Sequence, residues 1–316
     1  MTTVYLHIGT QKTGTTFIQN FLLKNREQLL DKGFLFPLSG IPKGQGVIGS
    51  SCRYSQHNLV WELNKDKNKA YDPRHGGWEE VHREIDFIQP GNVILSSELF
   101  YEAKLNYDQL SIIKDYLFSY KVKIIVYLRR QDDYFKSWYC QAIKAGVCGD
   151  DISQFISQLK SYGDYYKMID LWQELFGKEN IIIRVYEKEQ LKGCLIDDFL
   201  NQIHLNRDNC ELNYPNFSNI SPSAKTIKTM RLLNKIAIQR MSIQRRKVRQ
   251  IYFKFLIADT LFAKMIKKVP DFLISNELLS TQERIALLKE FEESNQKVAQ
   301  EYLGRQDGKL FYSTPE

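Results

Sequence analysis

The stretch VYLHIGTQKTGTTFIQNFL, residues 4–22, has the outline of a loop that binds an anion between a strand and a helix. An apolar run precedes Gly9, Gly14 follows five positions later, and a segment of helical apolar period begins at Thr15. In the P-loop of an NTP-binding protein, the residue after the second glycine is lysine. Here that position is Thr15, and the lysine stands two residues before the glycine, at Lys12. The stretch therefore predicts a phosphate- or sulfate-binding loop that departs from the NTPase pattern.

The charge that neutralises this anion is expected to come from the protein alone. Glycines at a strand–helix turn present consecutive backbone N–H groups toward one point, and Thr15 and Thr16 add hydroxyl donors in the first helical turn. An NTPase also needs Mg²⁺, held by an aspartate that closes a second apolar strand. The candidate strands end instead in VILSSE and IIVYLRR, so we expect no metal.

The order of apolar runs predicts an α/β protein with a central, mostly parallel sheet flanked by helices. Short β-branched runs predict buried strands at residues 4–8, 93–96, 123–128 and 181–186. Helical period occurs at residues 15–24, 107–119, 132–145, 152–161, 165–176 and 187–201, and the C-terminal part from 221 to 316 is predicted as helical at 222–240, 242–268 and 281–302. We predict one domain over residues 1–316, with residues 37–78 as an irregular lid on the acceptor side.

Composition points to a globular protein of the cytoplasm. Of the 316 residues 43% are hydrophobic, which suffices for a sizeable core. The N-terminus shows no basic region or cleavage site, and no apolar run reaches the roughly 18 residues of a membrane span. We therefore expect neither a signal peptide nor a transmembrane helix. The cysteines are five, scattered and without a CxxC pair, which is typical of reduced thiols: Cys52, Cys140, Cys148, Cys194 and Cys210.

The net charge of +7 is concentrated in one segment. Residues 240–268 contain nine Lys or Arg against Asp259, a local +8, so the rest of the chain carries about −1. The apolar residues of 242–268 fall at helical spacing, which predicts a basic amphipathic helix. The simplest interpretation is a helix packed by its apolar face; the alternatives are docking of an acidic polysaccharide and peripheral contact with anionic membrane. Nucleic acid is not an expected partner.

Two motifs together resemble a known family. QKTGTTFIQNFL resembles the 5′-phosphosulfate loop of sulfotransferases that use 3′-phosphoadenosine 5′-phosphosulfate (PAPS), and VYLRRQDDYFKSWYCQ is similar to their 3′-phosphate motif. STQERIALLKEFEESNQKVAQEYLG is similar to the closing helix of bacterial carbohydrate sulfotransferases. The resemblance implies a P-loop-like sulfotransferase fold and transfer of a sulfuryl group from PAPS to a hydroxyl or amine, with a carbohydrate or polysaccharide as the expected acceptor.

The resemblance assigns the nucleotide-binding residues. In the second motif, Arg129 closes the strand and Ser137 lies eight residues later, about two turns into the next helix, so both could bind the 3′-phosphate if the chain bends back. Arg130 is a minority alternative to Arg129. Tyr186 resembles a family position near the nucleotide, and Arg184 alternates with it on the strand; otherwise the two stabilise the sheet edge. In the first motif, the resemblance implies these ligands: Gln11, Lys12, Thr13, Gly14, Thr15 and Thr16.

Sulfuryl transfer also needs stabilisation of the leaving phosphate and a base. Lys12 fits the first role. Glu98 follows a strand on the edge where parallel sheets bind ligands, and the SSE triplet resembles the position of the glutamate base in family members with polysaccharide acceptors. His57, in an irregular polar segment, is the competing base or else an acceptor-binding residue. His7 is expected to be buried, and no chemical role is assigned to His7, His75, His82 or His204.

Two other classes of function remain as alternatives at this point. A metal-dependent P-loop kinase or NTPase would fit the glycines, although the displaced Lys12 and the missing aspartate disfavour it. A non-catalytic protein that binds a polyanion or a membrane would fit the basic segment on the same fold.

Overall fold

The computed structural model describes residues 1–42, 53–64, 70–102, 104–205, 212–213, 222–239, 264–266, 268–271 and 274–315. The chain groups into two compact units. The first comprises Met1–Arg129, Tyr165–Phe217 and Ser294–Tyr312, and the second comprises Arg130–Asp164, Ser218–Glu293 and Ser313–Glu316. The single domain over 1–316 stays a prediction. Most of the basic helix predicted at 242–268, and parts of the segment 37–78 predicted as a lid, lie outside the described residues.

The first unit is built on a parallel sheet of five strands in the order β2-β3-β1-β4-β5. The strands are β1 (Thr3–Gly9), β2 (Phe34–Leu35), β3 (Asn92–Ser96), β4 (Lys121–Leu128) and β5 (Ile181–Val185). In the central strand β1, Val4 and Leu6 are completely buried, as expected of a strand with neighbours on both sides. β2 and β3 lie on one side of β1, and β4 and β5 lie on the other. Ligands of such sheets bind at the carboxyl ends of the strands, where connections diverge.

Thirteen α-helices are described. In the first unit they are α1 (Thr15–Lys24), α2 (Arg26–Asp31), α3 (His57–Glu62), α4 (Trp78–Ile88), α5 (Leu99–Glu102), α6 (Tyr107–Tyr116), α9 (Tyr165–Phe176) and α10 (Leu195–Gln202). In the second unit they are α7 (Gln131–Lys144), α8 (Ile152–Leu159), α11 (Ala224–Gln239) and α12 (Thr281–Lys289). The last helix is α13 (Glu292–Leu303), and short 3₁₀ turns occur at Pro73–His75, Lys160–Gly163, Lys178–Asn180 and Lys188–Gln190. None of the described helices combines the length and apolar character that crossing a membrane requires.

The predicted α/β class, the four predicted strands and most of the predicted helices are confirmed. The helix predicted at 187–201 is wrong before Leu195, because Gly193 has a positive φ of 78° and the α-helix begins only after it. The helix predicted at 281–302 is two helices, with a break after Lys289. Strand β2 and helix α4 were not predicted. Three of the five cysteines lie in the described residues, and all three are free thiols: Cys140, Cys148 and Cys194.

A buried ion pair supports the outer part of the sheet. Asp198, completely buried on α10, accepts hydrogen bonds from Arg184 Nε at 2.9 Å and from Tyr127 Oη at 2.7 Å. Tyr127 lies on β4 and Arg184 on β5, so one carboxylate ties two strands to one helix. Burial and the charge of Asp198 raise the pKa of Tyr127, which keeps the hydroxyl protonated as a donor.

In the second unit, helix α7 packs against α8, α11 and α12. Its buried aromatic residues Tyr134 and Phe135 share an apolar core with Phe155 of α8 and Met230 of α11. At its N-terminus, the completely buried Asp132 accepts hydrogen bonds from Arg130 at 2.8 Å and from Arg284 of α12 at 2.6 Å. Burial works to raise the pKa of Asp132, but the two guanidinium groups outweigh it and lower the pKa. Arg130 is thus committed to a structural ion pair.

Candidate active site

The loop between β1 and α1 is fixed to the neighbouring strand β4. The backbone N–H and the hydroxyl of Thr10 both donate to the carbonyl of Tyr127, at 3.0 and 3.1 Å. Within the loop, the hydroxyl of Thr13 donates to the carbonyl of Thr10 at 2.6 Å and closes the turn. Both threonines are buried, so these contacts are shielded from competing water. The loop is therefore held at the carboxyl edge of the sheet.

Three residues of the loop have left-handed backbone: Gly9, Lys12 and Gly14, with φ of 109°, 70° and 80°. The glycines adopt this conformation at little cost, whereas a residue with a side chain is disfavoured there. Gly14 is also the N-cap of α1, and its carbonyl accepts the N–H groups of Phe17 and Ile18. The first turn of α1 carries no acidic residue and no side-chain cap. Such a helix N-terminus favours an anion.

Gln11 strengthens the interpretation of the loop as a ligand site. Its side chain is buried, and neither its amide nitrogen nor its amide oxygen has a hydrogen-bond partner within the described protein. A buried amide without partners is costly, so native proteins rarely leave one without a function or a ligand. A bound anion would supply the acceptor that the amide nitrogen lacks.

Arg129 lies against this loop. Its Nη1 donates to the carbonyl of Lys12 at 2.8 Å, and its guanidinium carbon lies 5.7 Å from the centre of the Tyr186 ring. The Tyr186 hydroxyl in turn lies 3.7 Å from the position a Cβ would take on Gly14. Arg129, Tyr186 and the loop therefore form one cluster. The alternative, Arg130, points into its ion pair with Asp132 and into a hydrogen bond with Ser313, which favours Arg129 as the nucleotide ligand.

Two predicted nucleotide ligands are not brought to this cluster by any described contact. Ser137 lies partly exposed on α7, in the second unit, so its pairing with Arg129 stays a prediction. Arg184 uses its guanidinium on Asp198 and on the carbonyl of Gln190. This is the stabilising role at the sheet edge that the sequence allowed as the alternative, and a contact with nucleotide stays a prediction.

Glu98 lies beside the loop from the opposite side. It follows β3, its side chain is almost fully buried, and a Cβ placed on Gly9 would lie 3.2 Å from the Glu98 Cα. Gln19 of α1 donates its amide to Glu98 Oε2 at 2.8 Å. Four residues on, Glu102 is half-buried; burial and the charge of Glu98 raise the pKa of Glu102, while the charge of Lys12 opposes this. The carboxylate of Glu98 and the ammonium of Lys12 thus both affect the pKa of Glu102, in opposite directions.

His57 is held by two serines. Its Nδ1 lies 2.7 Å from Ser97 Oγ and its Nε2 lies 3.0 Å from Ser55 Oγ, while Glu98 Oε1 is 3.9 Å from Nε2. Burial lowers the pKa of His57, opposed by the charge of Glu98. The ring of His57 is therefore buried with both nitrogens hydrogen-bonded, and its assignment as competing base or acceptor-binding residue stays a prediction.

Sequence reasoning missed the residues that hold the predicted ones. Gln19 occupies a buried position of α1, with Thr15 and Leu22 at helical spacing on the same face, so a polar side chain within an apolar stripe was the available signal. Tyr165 is buried and donates its hydroxyl to the carbonyl of Arg129 at 2.5 Å. Nothing in the local sequence marks Tyr165, because it is thirty-six residues from Arg129 and meets it only in the fold.

The sulfotransferase domain profile matches residues 5–195, more than half of the chain. The chain belongs to the sulfotransferase family. The matched residues include the loop, Glu98, Arg129 and Tyr186. The chain is 28% identical over 214 residues to an uncharacterized protein of Archaeoglobus fulgidus, and the alignment covers 67% of this chain and 54% of that protein. The chain therefore spans about half the length of that relative. A solved sulfotransferase from Alicyclobacillus acidocaldarius aligns over 78% of this chain and 98% of its own with 12% identity and a TM-score of 0.42.

Gly14→Ala is expected to destabilise the protein more than Gly33→Ala. Both glycines have a φ of 80°, so both alanines incur the left-handed backbone cost of about 1–2 kcal/mol. A Cβ on Gly33 meets nothing within 4 Å, but a Cβ on Gly14 would overlap Leu195 of α10. We expect a further loss of about 1–3 kcal/mol for Gly14→Ala, measured by urea denaturation. Equal losses in the two variants would mean that Leu195 does not pack against the loop.

His7 is expected to make the protein less stable as the pH falls. It is completely buried with Nδ1 on Ser96 Oγ at 2.8 Å, and burial lowers the pKa of His7 to about 4, opposed by Glu98. Between this value and the unfolded value of about 6.5, the unfolded chain binds a proton that the folded protein does not. Lowering the pH from about 7 to about 4.5 should therefore cost about 2 kcal/mol through His7 alone.

The measurement is the free energy of unfolding against pH for the wild type and His7→Asn. The variant should lose less stability over this range, whatever its absolute stability, because asparagine does not titrate. Parallel curves for the two proteins would show that His7 is not held neutral.

Proposed function

We propose that this sulfotransferase transfers the sulfuryl group of PAPS to a hydroxyl or an amine of a carbohydrate or polysaccharide. The observation that supports this is the cluster at the carboxyl edge of the sheet. Arg129 contacts the carbonyl of Lys12, and the backbone of Glu98 lies close to Gly9 at the other end of the same loop. Two cations for the two ends of the nucleotide and one carboxylate for the acceptor thereby follow the carboxyl ends of three neighbouring strands.

The proposed reaction uses each of these groups once. The loop amides, Thr15, Thr16 and Gln11 bind the 5′-phosphosulfate, and Arg129 binds the 3′-phosphate. Glu98 takes the proton from the acceptor hydroxyl as the acceptor oxygen bonds to sulfur. Lys12 stabilises the negative charge that develops on the bridging oxygen as the sulfur–oxygen bond to the phosphate breaks. The products are the sulfated acceptor, protonated Glu98 and 3′-phosphoadenosine 5′-phosphate (PAP), and no metal is needed.

The acceptor is proposed on the surroundings of Glu98 and on the sequence. Glu98 and His57 lie in a buried polar region with Gln19, Ser55 and Ser97, and such polar surroundings suit a polar acceptor. The resemblance of the closing helix to bacterial carbohydrate sulfotransferases points the same way. Contact of residues 242–268 with acidic polysaccharide or anionic lipid is part of this proposal and rests on their charge alone.

Transfer of label from PAPS is the direct test. Purified protein is incubated with PAPS labelled in the sulfuryl group and with polysaccharide or lipid extracts, and the labelled product is identified. Lys12→Ala should reduce transfer at least about 100-fold, because it removes the charge on the leaving group. Lys24 is an exposed lysine at the end of helix α1, which follows the loop, and Lys24→Ala should transfer like the wild type. Binding of PAP that requires Mg²⁺, or binding without any transfer, would contradict the proposal.

Glu98→Gln and His57→Asn should separate the base from its neighbour. Glutamine keeps the size of Glu98 but cannot accept a proton, so kcat should fall about 10²–10⁴-fold while the Kd for PAP stays within about threefold. His57→Asn should lower kcat by less than about tenfold, since the histidine acts through Glu98. The rate is measured as PAP release and the affinity by calorimetry. A larger loss in His57→Asn than in Glu98→Gln would move the base to His57.

A further inference from the structure

The conformation of Lys12 requires support. Lys12 has a φ of 70°, in the left-handed region that disfavours residues with a side chain. Its neighbours Gln11 and Thr13 are buried, so the loop cannot relax freely around it. The backbone of Lys12 sets the direction of the Cα–Cβ bond from which the ammonium of the proposed chemistry extends. Whatever fixes its carbonyl therefore also restricts the region that the ammonium can reach.

The carbonyl of Lys12 is held by Arg129. Nη1 of Arg129 donates to this oxygen at 2.8 Å across 117 residues of chain. A guanidinium has five N–H donors in a rigid fork, so one of them can hold a carbonyl while others face a phosphate. The centre of the Tyr186 ring lies 5.7 Å from the guanidinium carbon, so the ring further limits the orientations that the guanidinium can adopt.

Arg129 is itself anchored through its main chain. Its carbonyl accepts the Tyr165 hydroxyl at 2.5 Å, and the preceding carbonyl, of Leu128, accepts the N–H of Tyr186 at 2.7 Å. Tyr165 is completely buried. Its ring packs edge-on with the ring of Tyr101, with the ring centres 6.4 Å apart, and Tyr101 lies on the short helix that follows Glu98. These hydrogen bonds fix the main chain of Arg129, from which its guanidinium reaches Lys12.

We propose that Arg129, besides binding the 3′-phosphate, is a positioning residue for Lys12. Through the hydrogen bond to the Lys12 carbonyl, it holds the loop in the conformation that directs the ammonium toward the leaving phosphate. This inference rests on the proposed function for the identity of the nucleotide, but the hydrogen bond itself concerns the free protein. Loss of the guanidinium then weakens binding of the 5′-phosphosulfate as well as binding of the 3′-phosphate.

Hydrogen–deuterium exchange of the free protein tests the contact without any nucleotide. In Arg129→Ala, the amides of residues 10–16 should exchange about threefold to tenfold faster than in the wild type, because one hydrogen bond holding the loop is lost. Tyr165→Phe keeps the ring but loses the bond to the Arg129 carbonyl, and should produce a smaller increase in the same peptide. Tyr139→Phe is the matched control: Tyr139 is another buried tyrosine whose hydroxyl donates to a main-chain carbonyl, that of Asp150 at 3.0 Å, and it should leave residues 10–16 unchanged. Unchanged exchange in Arg129→Ala would overturn the inference, and so would an equal rise in Tyr139→Phe.

Adenosine 5′-phosphosulfate, which lacks the 3′-phosphate, provides the second readout. If Arg129 served the 3′-phosphate alone, Arg129→Ala would bind this nucleotide as the wild type does. We expect its Kd to rise about threefold to tenfold, and the Kd for PAPS to rise further, both by calorimetry. An unchanged Kd for adenosine 5′-phosphosulfate would refute the positioning role. If the wild type bound neither nucleotide, the proposed function would fail, while the exchange experiment would still decide whether Arg129 holds the loop.

Discussion

The site depends on the end of strand β4, where Tyr127 is bonded in two directions. Its carbonyl accepts both donors of Thr10 and so fixes the start of the anion-binding loop, and its hydroxyl donates to Asp198, which pairs with Arg184. Both partners of Tyr127 are buried, so water does not compete for them. Because β4 also carries Arg129 immediately beyond its end, the loop and the arginine share one support. A displacement of this strand end would move both together.

The sequence predicted the parts of this arrangement that obey local rules. Buried strands of β-branched residues, glycines at a strand–helix turn and an arginine closing a strand have recognisable patterns, and the predicted strands are confirmed. The hydrogen bond between Arg129 and the carbonyl of Lys12 was not predicted. The strand β2 is only two residues long, Phe34–Leu35, and has no period to detect. Helix α4 was missed for another reason: it begins at Trp78, at the end of a segment interpreted as irregular, and charged residues mask its buried face of Trp78, Val81 and Ile85.

The supporting residues could not be predicted because their roles arise from contacts distant in sequence. Gln19 and Glu98 are 79 residues apart, and His57 and Ser97 are 40 residues apart, yet both pairs are hydrogen-bonded and buried. A single sequence shows that glutamine and serine are present but not which partner they meet. Arg184 and Arg129 illustrate the same limit. Both follow the expected pattern of an arginine in or just after a strand, and only the buried carboxylate of Asp198 distinguishes the structural one from the one at the loop.

The charge state of the two buried histidines matters to the proposed base. A protonated imidazole 3.9 Å from Glu98 would pair with the carboxylate and compete with an acceptor proton for it. Burial lowers the pKa of both His57 and His7 despite the attraction of Glu98, so at neutral pH both rings are neutral. Gln19 donates a neutral amide hydrogen to Glu98 Oε2, so this contact adds no formal positive charge beside the carboxylate. In the proposed reaction, Lys12 and Arg129 serve the nucleotide and Glu98 serves the acceptor, which is the division of charge that transfer between the two requires.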